Sequence, residues 1–295
     1  MAETAFSEGE WESADGLRLR YRDYSGDAED REARPPLLCL HALTRNARDF
    51  EPLAKRFAGA WRLIVPDMRG RGQSEYARDA ASYQVETYVG DVVRLLEQLD
   101  CGPVAIVGTS MGGMIAMQMA LAKAWPLAGV VLNDVGPEID PAGIARIRQY
   151  VGQGGSFETW MHAARHLREP FGKTYPEYRI GEWLAFAKRV MVLAGNGRVV
   201  FDYDMKIAEP FHAPAAGAAA DLWPAFRALA GRPLLAIRGE LSDILSASTL
   251  ERMALEVPEM DVCTVPRVGH PPALDEPEAQ AALGRFFAKV HANAS

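Results

Sequence analysis

Several common signals are missing from this sequence, and each absence excludes a class of protein. No uninterrupted apolar run reaches the roughly 18 residues that a membrane-spanning helix needs, so we expect no membrane association. The N-terminal stretch MAETAFSEGEWESADG is acidic and lacks the apolar centre of a secretory signal. The cysteines number only three, Cys39, Cys101 and Cys263, which does not suit a disulfide framework. We therefore predict a cytoplasmic protein with reduced thiols.

An excess of positive charge is missing too. The formal net charge is −7, which argues against nucleic acid as the main partner, because phosphate binding draws on a basic surface. We expect a small-molecule substrate instead. The sequence leaves the oligomeric state open, a homo-oligomer included.

Signals for cofactors and metals are equally weak. The segment DMRGRGQS (67–74) contains a G-x-G but matches neither nucleotide-binding pattern, so no cofactor is predicted. His162 and His166 lie four residues apart, a spacing that can bind metal on a helix. No third ligand is evident, and we predict no metal site.

The sequence does contain short apolar runs that alternate with helical patterns. This arrangement favours one parallel sheet covered by helices on both faces. Asp15-Gly16 lies between two partly alternating segments, which predicts a tight hairpin before the first buried strand. A helix is expected near 84–99, where apolar residues recur on one face. The predicted strands are LLCLHAL, 61–68, 103–109, 127–135, 233–239 and 260–268.

One long interval breaks the alternation. Residues 137–225 are rich in aromatic side chains and contain no convincing strand, so we interpret them as a helical lid over one edge of the sheet. The predicted division is a core formed by residues 1–136 and 226–295 and a cap formed by 137–225.

A serine lies at the junction of an apolar strand and an apolar helix. Gly108-Thr109-Ser110-Met111-Gly112 matches the G-x-S-x-G nucleophile elbow, with a predicted strand before it and a helix after it. Only glycine fits comfortably on either side of so sharp a turn. The alternative is that Ser110 simply caps the helix, for which serine is a favoured residue.

Residues later in the sequence favour the interpretation of Ser110 as a nucleophile. A serine hydroxyl needs an imidazole base, and that base needs a carboxylate to orient it. Asp243 follows one late predicted strand in AIRGELSDIL, and His270 follows the last strand in VPRVGHPPALDEPEA. We predict a triad of Ser110, Asp243 and His270.

These segments, in this order, resemble the α/β-hydrolase superfamily across nearly the whole core. The resemblance implies an eight-stranded, mostly parallel sheet with an inserted helical cap. It also assigns the nucleophile, acid and base to Ser110, Asp243 and His270. Asp134 is a rival acid, since some relatives place their acid after the strand that it ends; we favour Asp243, because "SD" after "RGE" is the commoner arrangement. The resemblance implies that the backbone N–H groups of Met111 and Leu43 form the oxyanion hole, although Ala42 replaces the family's usual glycine.

Substrate contacts are less constrained. The candidates are His41, Arg45, Trp160 and Trp183. For His41 a structural role is the alternative, for Arg45 an ion pair with Asp49, and for the tryptophans a place in the cap's own core. Arginines of the cap, Arg146 among them, could receive a substrate carboxylate.

The predicted activity is hydrolysis of a carboxylic ester or lactone of a small, largely apolar molecule. One alternative is a carbon–carbon hydrolase acting on ring-opened aromatic products. Another is acyl transfer or cofactor-free perhydrolysis through the same acyl-enzyme, and a third is a ligand sensor that retains the triad.

Overall fold

The computed structural model describes residues 4–25, 34–212 and 221–294. Within them the chain alternates between strands and helices, as the apolar runs predict. The strands are β1 (Ser7–Glu12), β2 (Arg18–Tyr24), β3 (Leu37–Leu40), β4 (Leu63–Asp67), β5 (Val104–Thr109), β6 (Leu127–Asn133), β7 (Ser156–Phe157), β8 (Met191–Leu193), β9 (Val199–Phe201), β10 (Leu234–Gly239) and β11 (Asp261–Val265). The α-helices are α1 (Glu51–Phe57), α2 (Val85–Gln98), α3 (Met111–Leu121), α4 (Pro141–Tyr150), α5 (Trp160–Phe171), α6 (Ile180–Val190), α7 (Ala208–His212), α8 (Trp223–Arg227), α9 (Ala247–Glu256) and α10 (Pro277–Ala294).

Eight of the strands form one sheet in the order β1-β2-β4-β3-β5-β6-β10-β11. The pairs β1/β2 and β2/β4 are antiparallel, and every other neighbouring pair is parallel. Gly16 makes the β1–β2 turn with a φ of 79°, in agreement with the predicted hairpin. The predicted eight-stranded, mostly parallel sheet is thus confirmed.

Two apolar layers enclose this sheet. Leu38, Leu40 and Ile106 face one layer, whereas Cys39 and Val107 face the other, because successive strand residues point to opposite faces. Helices α2 and α3 supply side chains to the first layer, and α1 and α10 supply the second. The central strands β4 and β5 are buried along their whole length, which explains their unbroken apolar sequence.

The chain between β6 and β10 leaves the sheet and forms a separate layer, here called the insertion (residues 137–212). It contains α4 to α7 and a small antiparallel sheet in the order β7-β9-β8. The expectation that this interval holds no strand is wrong. Strands of two or three residues are too short to show a period of two in the sequence. Residues 213–220 of the predicted cap lie outside the described residues, and the predicted domain limits stay a prediction.

The insertion is fastened to the loop that follows β4. The Gly72 N–H donates to the Asp202 carbonyl at 3.1 Å, and the Asp204 N–H donates to the Gly70 carbonyl at 2.8 Å. Arg48 also forms an ion pair with Asp202 at 2.6 Å. These contacts place the insertion against the carboxyl ends of the parallel strands, where ligands bind in sheets of this kind.

The three cysteines are free, as predicted, with Cys39 and Cys263 buried. None of the helices in the described ranges combines the length and apolarity needed to cross a bilayer.

Candidate active site

Ser110 lies on a strained turn between β5 and α3. Its backbone has φ 51° and ψ −112°, a positive-φ conformation that residues other than glycine rarely adopt. Its side chain forms no capping hydrogen bond to α3, which excludes the interpretation of Ser110 as an ordinary helix cap. The turn therefore holds a hydroxyl that is available for another partner.

The glycines of the elbow are required by close backbone contacts. A Cβ on Gly108 would lie 2.6 Å from backbone atoms of Gly112 and Gly113. A Cβ on Gly112 would lie 2.1 Å from the carbonyl oxygen of Leu40 in β3. Neither backbone can move aside without disturbing the sheet. The pentapeptide thus packs the serine turn directly onto the neighbouring strand.

The imidazole of His270 is the partner of the serine. His270 follows β11 and is 4% exposed, and its Nε2 lies 3.0 Å from the Ser110 hydroxyl oxygen. This distance suits transfer of the hydroxyl proton to the ring. The structure brings together the two residues that the sequence placed 160 positions apart.

The carboxylate on the other side of His270 belongs to Asp134, not to Asp243. Asp134 Oδ2 lies 2.8 Å from His270 Nδ1. Asp134 follows β6 directly, is fully buried, and has a φ of 58° that turns it under the imidazole. The prediction that Asp243 orients His270 is therefore wrong, and the rival acid takes this position.

Further hydrogen bonds fix the Asp134 carboxylate. The Gly239 N–H donates to Oδ1 at 2.9 Å, and the Ser242 hydroxyl donates to Oδ2 at 2.7 Å. The loop after β10 thus contributes Ser242 to the site. Its hydroxyl oxygen also accepts from the N–H groups of Ile244 and Leu245, which fixes its orientation. No sequence pattern indicates Ser242, because its role depends on contact with Asp134, 108 residues away along the chain.

Asp243 points instead towards the insertion. It forms a bidentate ion pair with Arg146 of α4, with distances of 2.5 and 2.8 Å to Nε and Nη2. Burial raises the pKa of Asp243, but the Arg146 guanidinium outweighs it and holds the pKa below its usual value. Its carboxylate is thus held by Arg146 at the edge of the site, where it still interacts electrostatically with His270.

A buried arginine supports the two candidate oxyanion donors. Arg71 Nε donates to the Leu43 carbonyl at 2.9 Å, and Nη2 lies 3.6 Å from the Met111 sulfur. Arg71 is fully buried and also donates to the Tyr88 hydroxyl. Met111 is the first residue of α3, so its N–H has no acceptor within the helix. The sequence does not indicate Arg71, because a charged residue in a glycine-rich loop is normally exposed rather than buried.

His41 does not line a substrate site, contrary to one expectation. Its ring is fully buried; Nδ1 lies 2.8 Å from the Ala42 carbonyl and Nε2 accepts from the Met68 N–H at 3.0 Å. Burial lowers its pKa to about 4, so the ring is neutral at pH 7. His41 braces the loop that carries Ala42 and Leu43.

A cavity of about 580 Å³ lies between that loop and the insertion. Thr44 and Arg45, which directly follow Leu43, form part of its lining, although Ser110 does not. Arg45 forms the expected ion pair with Asp49 and lies 4.5 Å from the Phe186 ring. Residues of the insertion that line the cavity include Arg146, Tyr150, Phe171 and Phe186.

The two tryptophans proposed as substrate contacts do not line this cavity. Trp183 is 2% exposed and donates its indole N–H to the Tyr178 carbonyl. Trp160 packs against the same apolar cluster. Both belong to the insertion's own small core, the alternative that the sequence left open.

The histidine pair of α5 forms no metal site. His162 is exposed, whereas the His166 ring packs against Phe157 and Phe201. Across the described ranges, no group of three His, Cys, Asp or Glu side chains is arranged to hold a metal ion.

Comparison with known proteins identifies the family of this chain. A model of the Alpha/beta hydrolase family matches residues 37–283. The crystal structure of an alpha/beta hydrolase from Novosphingobium aromaticivorans is 54% identical, covers 98% of this chain and 99% of its own, and gives a TM-score of 0.91.

Two curated enzymes are also similar over most of the chain. The 3-hydroxybutyrate-oligomer hydrolase of Cupriavidus necator is 35% identical over 281 residues, which is 92% of either chain. The 2-(acetamidomethylene)succinate hydrolase of Mesorhizobium japonicum is 27% identical over 243 residues, 80% of this chain and 81% of that enzyme.

Proposed function

Since this chain belongs to the alpha/beta hydrolase family, we propose that it hydrolyses carboxylic esters through an acyl-enzyme on Ser110. The observation that carries the proposal is the unbroken sequence of contacts from the Ser110 hydroxyl through His270 to Asp134, at 3.0 and 2.8 Å. This is the arrangement of nucleophile, base and orienting acid that acyl transfer requires.

Each group has one role in the proposed reaction. His270 Nε2 takes the Ser110 proton as the hydroxyl oxygen attacks the ester carbonyl, and Asp134 stabilises the imidazolium that forms. His270 then returns the proton to the leaving alcohol. The same nitrogen activates a water molecule, which attacks the acyl-enzyme and releases the acid.

The developing oxyanion needs N–H donors that are already in place. Met111 and Leu43 remain the proposed donors, and a donor of this kind contributes about 3 kcal/mol to the transition state. Support comes from Arg71, which holds the Leu43 carbonyl and contacts the Met111 side chain.

As substrate class we propose short oligoesters of small hydroxy acids, with the insertion acting as a cap over the acyl pocket. The similarity to the Cupriavidus necator enzyme over 92% of both chains supports this class. The cavity contains both apolar rings and cationic groups, which suits an aliphatic ester that carries a carboxylate.

The test replaces the nucleophile. Ser110→Ala should lower kcat for p-nitrophenyl butyrate and for the 3-hydroxybutyrate dimer by at least about 10⁴-fold, since the acyl-enzyme cannot form. Exposed Ser248→Ala serves as the matched control and should retain wild-type turnover. A fluorophosphonate should label Ser110 in the wild-type protein. Near-normal turnover by Ser110→Ala, or a label on another residue, would contradict the proposal.

A further inference from the structure

Arg146 is held by Asp243 on one edge and lies beside Tyr150 in the lining of the cavity. Asp243 occupies its Nε and Nη2 in the bidentate manner typical of arginine–carboxylate pairs. The remaining nitrogen, Nη1, is buried and forms no hydrogen bond of normal geometry with any described residue, although the Tyr150 side chain is near enough to interact with the guanidinium. A buried donor without a well-formed hydrogen bond costs free energy that a better acceptor would recover.

Arg146 belongs to the lining of the cavity beneath the insertion. Arg146, Tyr150 and Arg45 all line that cavity, and Tyr150 interacts electrostatically with both guanidinium groups. These three side chains therefore form one polar cluster in a lining that also contains aromatic rings and one carboxylate, Glu169. Lys173 adds a further positive charge to the lining and forms no ion pair within the described ranges.

The cluster also adjoins the catalytic groups. Gly143 of α4 packs so closely on the loop after β10 that a Cβ there would lie 2.2 Å from the Asp243 carbonyl oxygen. Ile147 of α4 shares an apolar cluster with Ile244, and Leu43 packs against this cluster. Helix α4 thus lies against both the loop that supports Asp134 and the candidate oxyanion loop.

We propose that Arg146, oriented by Asp243, binds the terminal carboxylate of the substrate beside the ester to be cleaved. This inference rests on the proposed ester hydrolysis and specifies its substrate as a hydroxy-acid ester with a free carboxylate. In a hydroxy-acid dimer the carboxylate is only a few bonds from the scissile carbonyl, and Asp243, which holds Arg146, is close enough to His270 to interact with it electrostatically. Arg146 determines specificity, and Asp243 acts as a positioning residue rather than as a catalytic one.

The proposal is tested with two substrates that differ in one charge: the 3-hydroxybutyrate dimer as the free acid, and its methyl ester. Arg146→Gln should lower kcat/KM for the free acid roughly 10- to 100-fold, the value of a charge-assisted hydrogen bond, mainly through KM. Turnover of the methyl ester should stay within about threefold, which also shows that the variant is folded. For the free acid, kcat/KM of Arg146→Lys should lie between the values of the wild type and of Arg146→Gln, because lysine retains the positive charge but cannot form a bidentate contact.

Two further variants separate positioning from general damage. Asp243→Asn should lose the same preference for the free acid while it continues to cleave the methyl ester. Arg148→Gln, on the same helix but exposed and near the Phe211 ring, is the matched control and should change neither rate. Equal losses on both substrates, or no loss on the free acid, would overturn the proposal.

A binding measurement distinguishes this proposal from the ester-hydrolase proposal. In the Ser110→Ala background, 3-hydroxybutyrate should bind more tightly than methyl 3-hydroxybutyrate by calorimetry, and Arg146→Gln should remove the difference. That result supports the carboxylate site even if no ester is turned over. If the Ser110→Ala protein binds the acid and the methyl ester equally, the proposed carboxylate site is contradicted, whatever turnover the wild type shows.

Discussion

At the scale of the residue, the Asp134 and Asp243 carboxylates both lie near the His270 imidazole. The other groups that each carboxylate contacts determine which of them bonds to the ring. Asp134 receives a backbone N–H and the Ser242 hydroxyl, which fix its carboxylate beneath His270. Asp243 is neutralised by Arg146, which draws it towards the insertion. Ser242, the residue before Asp243, donates a hydrogen bond to the Asp134 carboxylate, whereas Asp243 pairs with Arg146.

The two acids should therefore respond differently to the same substitution. Asp134→Asn should lower kcat for an uncharged ester such as p-nitrophenyl butyrate on the order of 10⁴-fold, because His270 loses its orienting acceptor. Asp243→Asn should leave kcat for that ester within about threefold. Steady-state kinetics on both variants measures the contrast. A greater loss in Asp243→Asn than in Asp134→Asn would restore Asp243 as the catalytic acid.

The choice between these acids could not be made from sequence for a geometric reason. Strands β6 and β10 are parallel neighbours, so the loops after them emerge at the same edge of the sheet. Both carboxylates thus begin near His270. The deciding arginine comes from the insertion, 97 residues away from Asp243 along the chain. Ser110 posed no such problem, because the G-x-S-x-G pattern between a strand and a helix marks it directly.

At the scale of the element, the helices follow from the apolar pattern while their ends and close contacts do not. The spacing of Tyr88, Val92, Leu95 and Leu96 predicts α2, and all four are buried in the structure. Helix α3 has no polar face because it is covered by the sheet and by neighbouring helices. Its glycines reflect backbone packing, which apolar periodicity does not report.

Glycines in these two helices should respond oppositely to replacement by alanine. Gly90 of α2 is exposed, and a Cβ there meets nothing within 4 Å, so Gly90→Ala should raise the free energy of unfolding by about 0.5–1 kcal/mol. Gly112→Ala should lower it by about 1–3 kcal/mol, since the new Cβ would collide with the Leu40 carbonyl. Urea unfolding of both variants gives the two values. If Gly112→Ala left the free energy of unfolding unchanged, the elbow would tolerate looser packing against β3 than the structure indicates.

At the scale of the whole molecule, the sheet, its two apolar layers and a helical insertion could be predicted, but the small strands of the insertion could not. The core strands are long enough to show their pattern, whereas β7, β8 and β9 have two or three residues each. The tryptophans of the insertion were candidates for substrate binding because aromatic residues suit either a pocket or a core. Only the packing in the folded structure distinguishes a pocket residue from a core residue. Trp183, for example, lies in the apolar cluster of the insertion.

Acid should weaken the folded state partly through His41. Its pKa is about 4 in the folded protein and 6.5 in an ordinary environment, so the unfolded chain binds the proton first as the pH falls. The stabilisation by the neutral ring is complete above pH 6.5 and decreases towards pH 4, by about 3 kcal/mol in all.

The measurement is the difference in unfolding free energy between the wild type and His41→Gln, taken from urea curves between pH 7 and pH 4.5. The wild-type advantage should shrink with acidification, since glutamine does not titrate and the other groups cancel in the difference. His41→Asn provides a second non-titrating variant. A difference that stays constant across this range would mean that His41 is not held neutral by burial.

The insertion also contacts the segment that bears the imidazole. The Gly269 N–H donates to the Thr174 carbonyl, and the Tyr175 hydroxyl donates to the Pro271 carbonyl, both at 2.7 Å. His270 lies between these two anchor points. Withdrawal of residues 174 and 175 from the sheet would therefore also release the backbone on both sides of the imidazole. Movement of this part of the insertion is thus coupled to the position of the His270 ring beside Ser110.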